Sequence, residues 1–329
     1  MPRTLKVRVS AASRVSAVDK LQSLAAFGLV NEEKNLMTKV VQGIDPFYTT
    51  KSGAAFLGDA SELLGHVNSG SIQLIVTSPP YALIRKKPYG NVEQERYVEW
   101  FMEFADELER VLASDGSLVI DIGGSWQNGH PIKSTYQFEL LLELTKKRFH
   151  LAQDFYWWNP ARLPSPAEWV NVRRVRVKDA VDTIWWLSKS KDPKADNRRV
   201  LLPYSESQKQ LFKNGVKETT RPSGHVITRN FRNVHKGAIP GNFFRVANTD
   251  SNSRYLRRCR ELGLTPHSAR FPQQIPDFFI RFLTDPRDIV LDPFAGSNMT
   301  GWVAESRKRR WIAFEVERPY LEASRLRWP

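Results

Sequence analysis

From residue 54 onward, apolar positions fall into two alternating spacings. A-A-F-L-G-D (54–59) and S-I-Q-L-I-V-T (71–77) are continuous apolar runs of strand length, and A-S-E-L-L-G-H-V between them fits a short helix. Between Glu95 and Leu112 the apolar residues stand at 97, 98, 101, 104, 105, 108, 111 and 112, the spacing of a helix that buries one face. S-L-V-I-D-I-G-G (117–124) predicts a strand and 135–149 a helix; H-L-A-Q-D-F-Y-W-W-N-P and D-A-V-D-T-I-W-W-L-S-K predict two more strands. Trp157-Trp158 and Trp185-Trp186 read as core positions, with Tyr156 or Trp157 as the alternative lining of a pocket. A second α/β stretch follows: helix 271–284, strand I-V-L-D, a glycine-bearing turn, helix 299–308, strand W-I-A-F-E-V and a last helix. Strands apolar on both faces and separated by helices predict a doubly wound, mostly parallel α/β sheet covered on both sides.

Between about 190 and 265 the alternation stops, and charge explains the interruption. The chain of 329 residues carries 49 Lys and Arg against 35 Asp and Glu, a net +14. Residues 205–260 hold twelve of the basic and three of the acidic residues, so nine of the fourteen excess charges sit in this one insert. Such a balance calls for a polyanion, a nucleic acid or an anionic membrane surface. No apolar run approaches the roughly 20 residues that span a bilayer, and the N-terminal stretch lacks a secretory apolar core, so a cytoplasmic protein is expected. The lone cysteine, Cys259, excludes an internal disulfide and a cysteine-rich metal site. Four parts result: a basic arm (1–45), a first α/β half (46–189), the insert (190–265) and a second α/β half (266–329). No role attaches to residues 1–36.

Two turns carry the chemistry. After the strand ending at Thr77, Ser78-Pro79-Pro80-Tyr81 fixes two backbone angles and removes two amide donors, leaving a rigid turn rich in acceptors. Arg85-Lys86-Lys87 follow it, either to close over phosphates or as a solvated charge run. The second turn is R-D-I-V-L-D-P-F-A-G-S-N-M-T-G, a strand ending at Asp292 and running into Gly296 and a helix start. In doubly wound domains the crevice at the carboxyl ends of the strands binds nucleotide-like ligands. Glu315 ends the next strand 23 residues later, near the offset at which an acid reaches ribose hydroxyls.

The S-P-P-Y and D-P-F-A-G-S blocks, at 78–81 and 292–297, resemble those of the amino-methylating DNA methyltransferases. Their order, with a basic insert between, resembles the circularly permuted beta class from bacterial restriction-modification systems. The resemblance spans about 50–329. It implies a permuted Rossmann-like methyltransferase fold whose insert is a target-recognition domain, with S-adenosyl-L-methionine as cofactor. It implies that Asp59 contacts the cofactor adenine, that Glu315 holds its ribose, and that Phe271, Asp292, Phe294, Gly296 and Ser297 line the rest. H-S-A-R-F-P (267–272) departs from the family's H-P-x-x-K-P, at Ser268 and Phe271.

The chemistry suits these residues. An exocyclic amine is a poor nucleophile because its lone pair is delocalised into the ring. Acceptance of its two hydrogens by the Ser78 hydroxyl and the Pro79 carbonyl, with Pro80 stiffening the turn, aims that lone pair at a methyl donor. Tyr81 stacks on a base taken out of the duplex. Asp121, at the end of L-V-I-D, bonds Ser78 or receives the released proton, or else is a helix cap or loop carboxylate. Direct displacement needs no covalent nucleophile: Cys259 stands apart from both motifs, and the H-x-E and C-x-x-C of zinc deaminases are absent. Arg221, His225, Arg229, Arg232 and Lys236 of the insert are the candidate DNA contacts. Ser at the head of the Pro-Pro block points, by resemblance, to the N4 amine of cytosine; adenine N6 methylation and a non-catalytic DNA-binding regulator are the alternatives. The expected partners are double-stranded DNA with a short site and a restriction endonuclease encoded nearby, with no metal and no membrane, and with the chain a monomer or dimer.

Overall fold

The computed structural model describes residues 37, 39–82, 92–147, 149–214, 219–220, 222–224, 226–227, 235–248 and 253–328. Eleven strands are formed among them: β1 (Tyr48–Thr49), β2 (Gly53–Leu57), β3 (Ile72–Thr77), β4 (Leu112–Ile122), β5 (His150–Trp158), β6 (Val181–Ser188), β7 (Thr219–Thr220), β8 (Val226–Ile227), β9 (Phe243–Arg245), β10 (Ile289–Asp292) and β11 (Arg310–Glu315). Nine form one sheet in the order β1-β2-β11-β10-β3-β4-β6-β5-β9, while β7 and β8 make a separate antiparallel ribbon. Five of the eight pairings are parallel; β1–β2, β4–β6 and β6–β5 are antiparallel. The expected mostly parallel sheet is therefore present.

Eight α-helices flank it: α1 (Ala60–Gly65), α2 (Gln94–Val111), α3 (Tyr136–Lys147), α4 (Glu206–Asn214), α5 (Arg254–Leu262), α6 (Gln274–Leu283), α7 (Met299–Ser306) and α8 (Arg318–Ser324). The face periodicity read from the sequence is the one buried. Tyr97, Phe101, Phe104, Ala105 and Leu108 of α2 join Leu63 and Leu64 of α1 and Leu140 and Leu144 of α3 against one side of the sheet. Ile275, Phe279, Ile280 and Leu283 of α6 and Val303 and Ala304 of α7 cover the other. Each of the buried Leu, Ile, Val and Phe side chains contributes roughly 1.5–3 kcal/mol by leaving water.

Two differences from the sequence pattern matter. The β4 strand begins at Leu112, straight from the C-cap of α2, rather than at 117. The basic stretch 190–265 is also partly built into the α/β body. Its β9 is the outermost strand, pairing Tyr156 with Phe243 and Trp158 with Arg245, and its α5 buries Tyr255 and Cys259 against Ala323 and Leu326. A three-residue strand among polar loops has too short a period to register in sequence. Among the described residues no helix is long and apolar enough to cross a membrane.

Candidate active site

Strands β2, β11, β10, β3 and β4 run parallel, so their carboxyl ends share one edge of the sheet. The Ser78 turn leaves β3 there and the Asp292 turn leaves its neighbour β10, in the register Val290–Leu74 and Leu291–Ile75. One side chain ties the two turns together. Asp292, 4% exposed, accepts from the Thr77 hydroxyl (2.8 Å) and the Phe294 amide (3.2 Å) on Oδ1, and from the Thr300 hydroxyl (2.7 Å) on Oδ2. Burial pushes its carboxyl up to about 6, against the pull of those donors. The side chain assigned to the cofactor thus holds the protein to itself, across 215 residues of sequence.

Beside it stands a compact cluster. Ser78 Oγ lies 3.2 Å from Asp121 Oδ2 and 3.3 Å from the Tyr81 hydroxyl, which itself donates to Oδ2 at 2.8 Å. Pro79 is buried and Pro80 half-buried. Asp121 sits within β4 and is 1% exposed; it caps no helix. Its other oxygen, Oδ1, is buried with no hydrogen-bond partner among the described residues. The cross-strand partner of Asp121 on β6 is Ile184, and Asp182, two positions earlier and also 1% exposed, presents a second carboxylate on that face. Asp182 is held by a two-pronged ion pair with Arg162, whose Nη1 donates to Oδ1 at 2.9 Å and whose Nη2 donates to Oδ2. Burial first, and the Asp182 charge second, push the Asp121 carboxyl up to about 8. Burial, with both carboxylates adding to it, likewise holds the Tyr81 hydroxyl well above its ordinary range.

Gly123 explains how Tyr81 fits. A Cβ there would stand 2.5 Å from the Tyr81 ring and 3.0 Å from Asp182 Oδ1, so the Cδ2–Cε2 side of the ring fits only against bare backbone. The Gly123 carbonyl accepts from the buried Tyr136 hydroxyl at the start of α3.

The Gly296 turn is organised by backbone. Gly296 has φ +52, and its amide donates to Glu315 Oε2 at 2.7 Å, while Oε1 accepts from the Glu317 amide at 2.8 Å. Burial pushes the Glu315 carboxyl up to about 7 against those two donors. The His267 ring covers Gly296, 3.3 Å from where its Cβ would be, and burial pushes that imidazole down to about 4. Ser297, 3% exposed, accepts on its hydroxyl from Arg327 Nη2 (2.6 Å) and on its carbonyl from Arg327 Nε. Asp59 is exposed at the end of β2, where it caps α1 by accepting from the amide (2.8 Å) and hydroxyl (2.6 Å) of Ser61. Phe294 packs against Trp100 and Phe104 of α2 with ring centroids 5.8 and 5.4 Å away. Phe271 is half-buried against the cluster beneath β10 and β11.

The DNA methylase family model matches residues 72–325 of the chain. The chain belongs to the DNA methylase family. It is 49% identical over 290 residues to the type II methyltransferase M.PvuII of Proteus hauseri, covering 87% of this chain and 86% of that one. A solved structure of the PvuII DNA methyltransferase (cytosine-N4-specific) superposes with a TM-score of 0.71 at 44% identity, covering 87% of this chain and 90% of the other. A putative DNA modification methylase from Thermus thermophilus, solved with S-adenosyl-L-methionine, shares the fold at 19% identity, with a TM-score of 0.51 over 83% of this chain and 92% of the other.

For this methylase the two motif turns lie side by side, as their spacing in a permuted chain implied. The expected DNA contacts are mostly untouched by the geometry: Arg85, Lys86, Lys87, Arg221, His225, Arg229 and Arg232 lie outside the described residues, and Lys236 is exposed. Sequence reasoning passed over Thr77, Gly123, Arg162, Asp182, Thr300 and Arg327. Gly123-Gly124, directly after an apolar strand, was the one available signal; the others act through partners far away in the chain. Tyr156 is 39% exposed while Trp157, Trp185 and Trp186 are core, as their runs suggested; Trp158, expected with them, is only half-buried.

Proposed function

We propose that the chain is a site-specific DNA methyltransferase that transfers a methyl group to the exocyclic N4 of a cytosine taken out of the duplex, protecting DNA within a restriction-modification system. The observation that carries this reading is the junction of the two turns. Thr77 and Asp292 lock the acceptor-rich Ser78 turn against the Gly296 turn at one sheet edge. The 44% identity to the cytosine-N4-specific PvuII DNA methyltransferase over most of both chains supports the choice of base.

The edge has the donor chemistry for S-adenosyl-L-methionine. Glu315, through the lone pairs its two amide donors leave free, and Asp59 would accept from ribose and adenine, Phe294 would offer an apolar wall, and Gly296 would let backbone approach the ligand. That cofactor supplies an electrophilic methyl group. The remaining work falls to this chain. Ser78 donates a hydrogen bond to the ionised Asp121 at Oδ2 and keeps its proton, which turns its lone pairs toward the base to accept one amine hydrogen; the Pro79 carbonyl accepts the other. The nitrogen lone pair is thereby aimed. Tyr81, anchored by its hydroxyl on Asp121 and by its ring against Gly123, stacks on the base. Asp121 Oδ1, the acceptor without a partner, takes the proton that the methylated amine sheds. The insert, Lys236 included, recognises the site, and a cognate endonuclease cuts the same sequence unmethylated.

Mass spectrometry of nucleosides from plasmid grown with this gene tests the reading. N4-methylcytosine is the expected product. N6-methyladenine would move the activity to the other amine, and no modified base, with cofactor binding lost in calorimetry, would leave a DNA-binding regulator.

A further inference from the structure

Residues 159–180 join β5 to β6, and the register fixes where this loop stands. Trp158 pairs with Val181 and Ile122 with Thr183, so the loop leaves the sheet at the edge where β4 delivers Asp121. It is a built loop. The Asn159 amide donates to the Ala180 carbonyl (2.8 Å), Lys178 Nζ to the Arg162 carbonyl (3.0 Å), and Trp169, 6% exposed, packs on Trp126 with centroids 5.9 Å apart. The Arg162–Asp182 ion pair pins its base next to the catalytic cluster.

Its tip reads V-R-R-V-R-V-K (172–178) and presents that sequence outward. Val172, Val175 and Val177 are 70%, 54% and 87% exposed. Arg173, Arg174 and Lys178 are exposed as well, and among the described residues none of the three forms an ion pair with a carboxylate. Arg174 holds φ +54, a left-handed backbone that a non-glycine residue adopts at an energetic cost. The strained backbone and the bare valines disfavour the free protein, and Arg173 and Arg174 add exposed positive charge without a carboxylate beside it. They fit a partner that is both polyanionic and open to apolar insertion. A duplex from which one base has been removed is such a partner: phosphates flank the site and a gap is left in the stack.

We infer that the β5–β6 loop is a DNA-opening arm, with Arg173, Arg174 and Lys178 on phosphates beside the target and Val175 and Val177 filling the space of the extruded base. The inference rests on the proposed methyl transfer to DNA and adds to it a surface outside the basic insert.

The test uses the full chain and a duplex bearing the site mapped from methylated plasmid, either fully paired or mismatched at the target base. V175S/V177S slows single-turnover methylation of the paired duplex about 10-fold and recovers to within about two-fold on the mismatched one, where opening is already done. R173Q/R174Q weakens binding to specific and unrelated duplexes alike and makes the slope of log affinity against log salt shallower by about two. Both variants bind S-adenosyl-L-methionine as the parent does, which shows that they fold. Equal losses on paired and mismatched duplexes, or an unchanged salt slope, overturn the arm while the parent still methylates DNA. A changed sedimentation state of the DNA-free valine variant, with its paired-duplex rate unaltered, would make the face a protein contact instead. A parent that transfers no methyl group to DNA removes the proposed function and the arm together.

Discussion

The Ser78 turn after β3, proposed to carry the catalysis, and the Gly296 turn after β10, proposed to hold the cofactor, lie on adjacent strands and are built on opposite plans. Around Gly296 the polar groups are consumed internally: Asp292 takes three hydrogen bonds, Glu315 two backbone amides, and Ser297 is held by Arg327. Around Ser78 the stiffness comes from Pro79 and Pro80, and the polar groups are left short, with one Asp121 oxygen unpartnered and Ser78 half-exposed at long hydrogen-bond distances. A pocket that holds a ligand in one orientation gains from a saturated, preorganised frame. A group that moves a proton needs an unfilled position.

The largest effect is expected at Gly123. Gly123→Ala places a methyl group 2.5 Å from the Tyr81 ring, and single-turnover methylation should fall by about 10²-fold or more while calorimetric cofactor affinity stays put. Ser78→Ala should lower the rate by about 10²-fold with the same indifference of cofactor binding. Loss of cofactor affinity in either variant would erase the distinction between the two turns.

A pH series sharpens it. With Asp121 pushed up to about 8, the ionised form that accepts from Ser78 grows as pH rises, so the methylation rate should climb with its midpoint near pH 8 and level only above it, and Asp121→Asn should be slow and flat. Stability runs the other way. Asp292, Glu315 and Asp121, at about 6, 7 and 8, all lie above their unfolded values, so the native state binds more protons than the unfolded one across this window. Their contribution is complete at acid pH and is lost as pH rises through the folded values. Thermal melts should therefore show Asp121→Asn gaining on the parent as pH increases; a parent that gains instead would contradict the buried-carboxylate assignment.

The cofactor-side turn should respond in stability and affinity. Thr77→Val removes one donor from buried Asp292 and should lower unfolding free energy by about 1–3 kcal/mol in denaturant titrations, with the chemical step at saturating cofactor nearly unchanged. Gly296→Ala meets the left-handed backbone and the His267 ring, and a loss of roughly 1–2 kcal/mol in cofactor affinity by calorimetry is the smallest effect expected.

The sequence by itself determined the alternation of strand and helix, the buried face of α2, the strands that end in chemistry and the family that its two blocks resemble. These are local: a period of 3.6 or a continuous apolar run is written in neighbouring residues. It also placed Ser78 and Gly296 in one crevice, because parallel strands must deliver their ends to one edge. Only the tertiary structure decided that β6 runs antiparallel, that β9 recruits part of the basic insert into the sheet, and that Asp292 answers Thr77 while Asp182 stands on the face of Asp121. Partnerships across tens to hundreds of residues carry no local signature, since each side chain alone looks like an ordinary strand-end polar residue. Burial then gives those pairings their force, because a carboxylate removed from water must find its donors wherever the fold brings them.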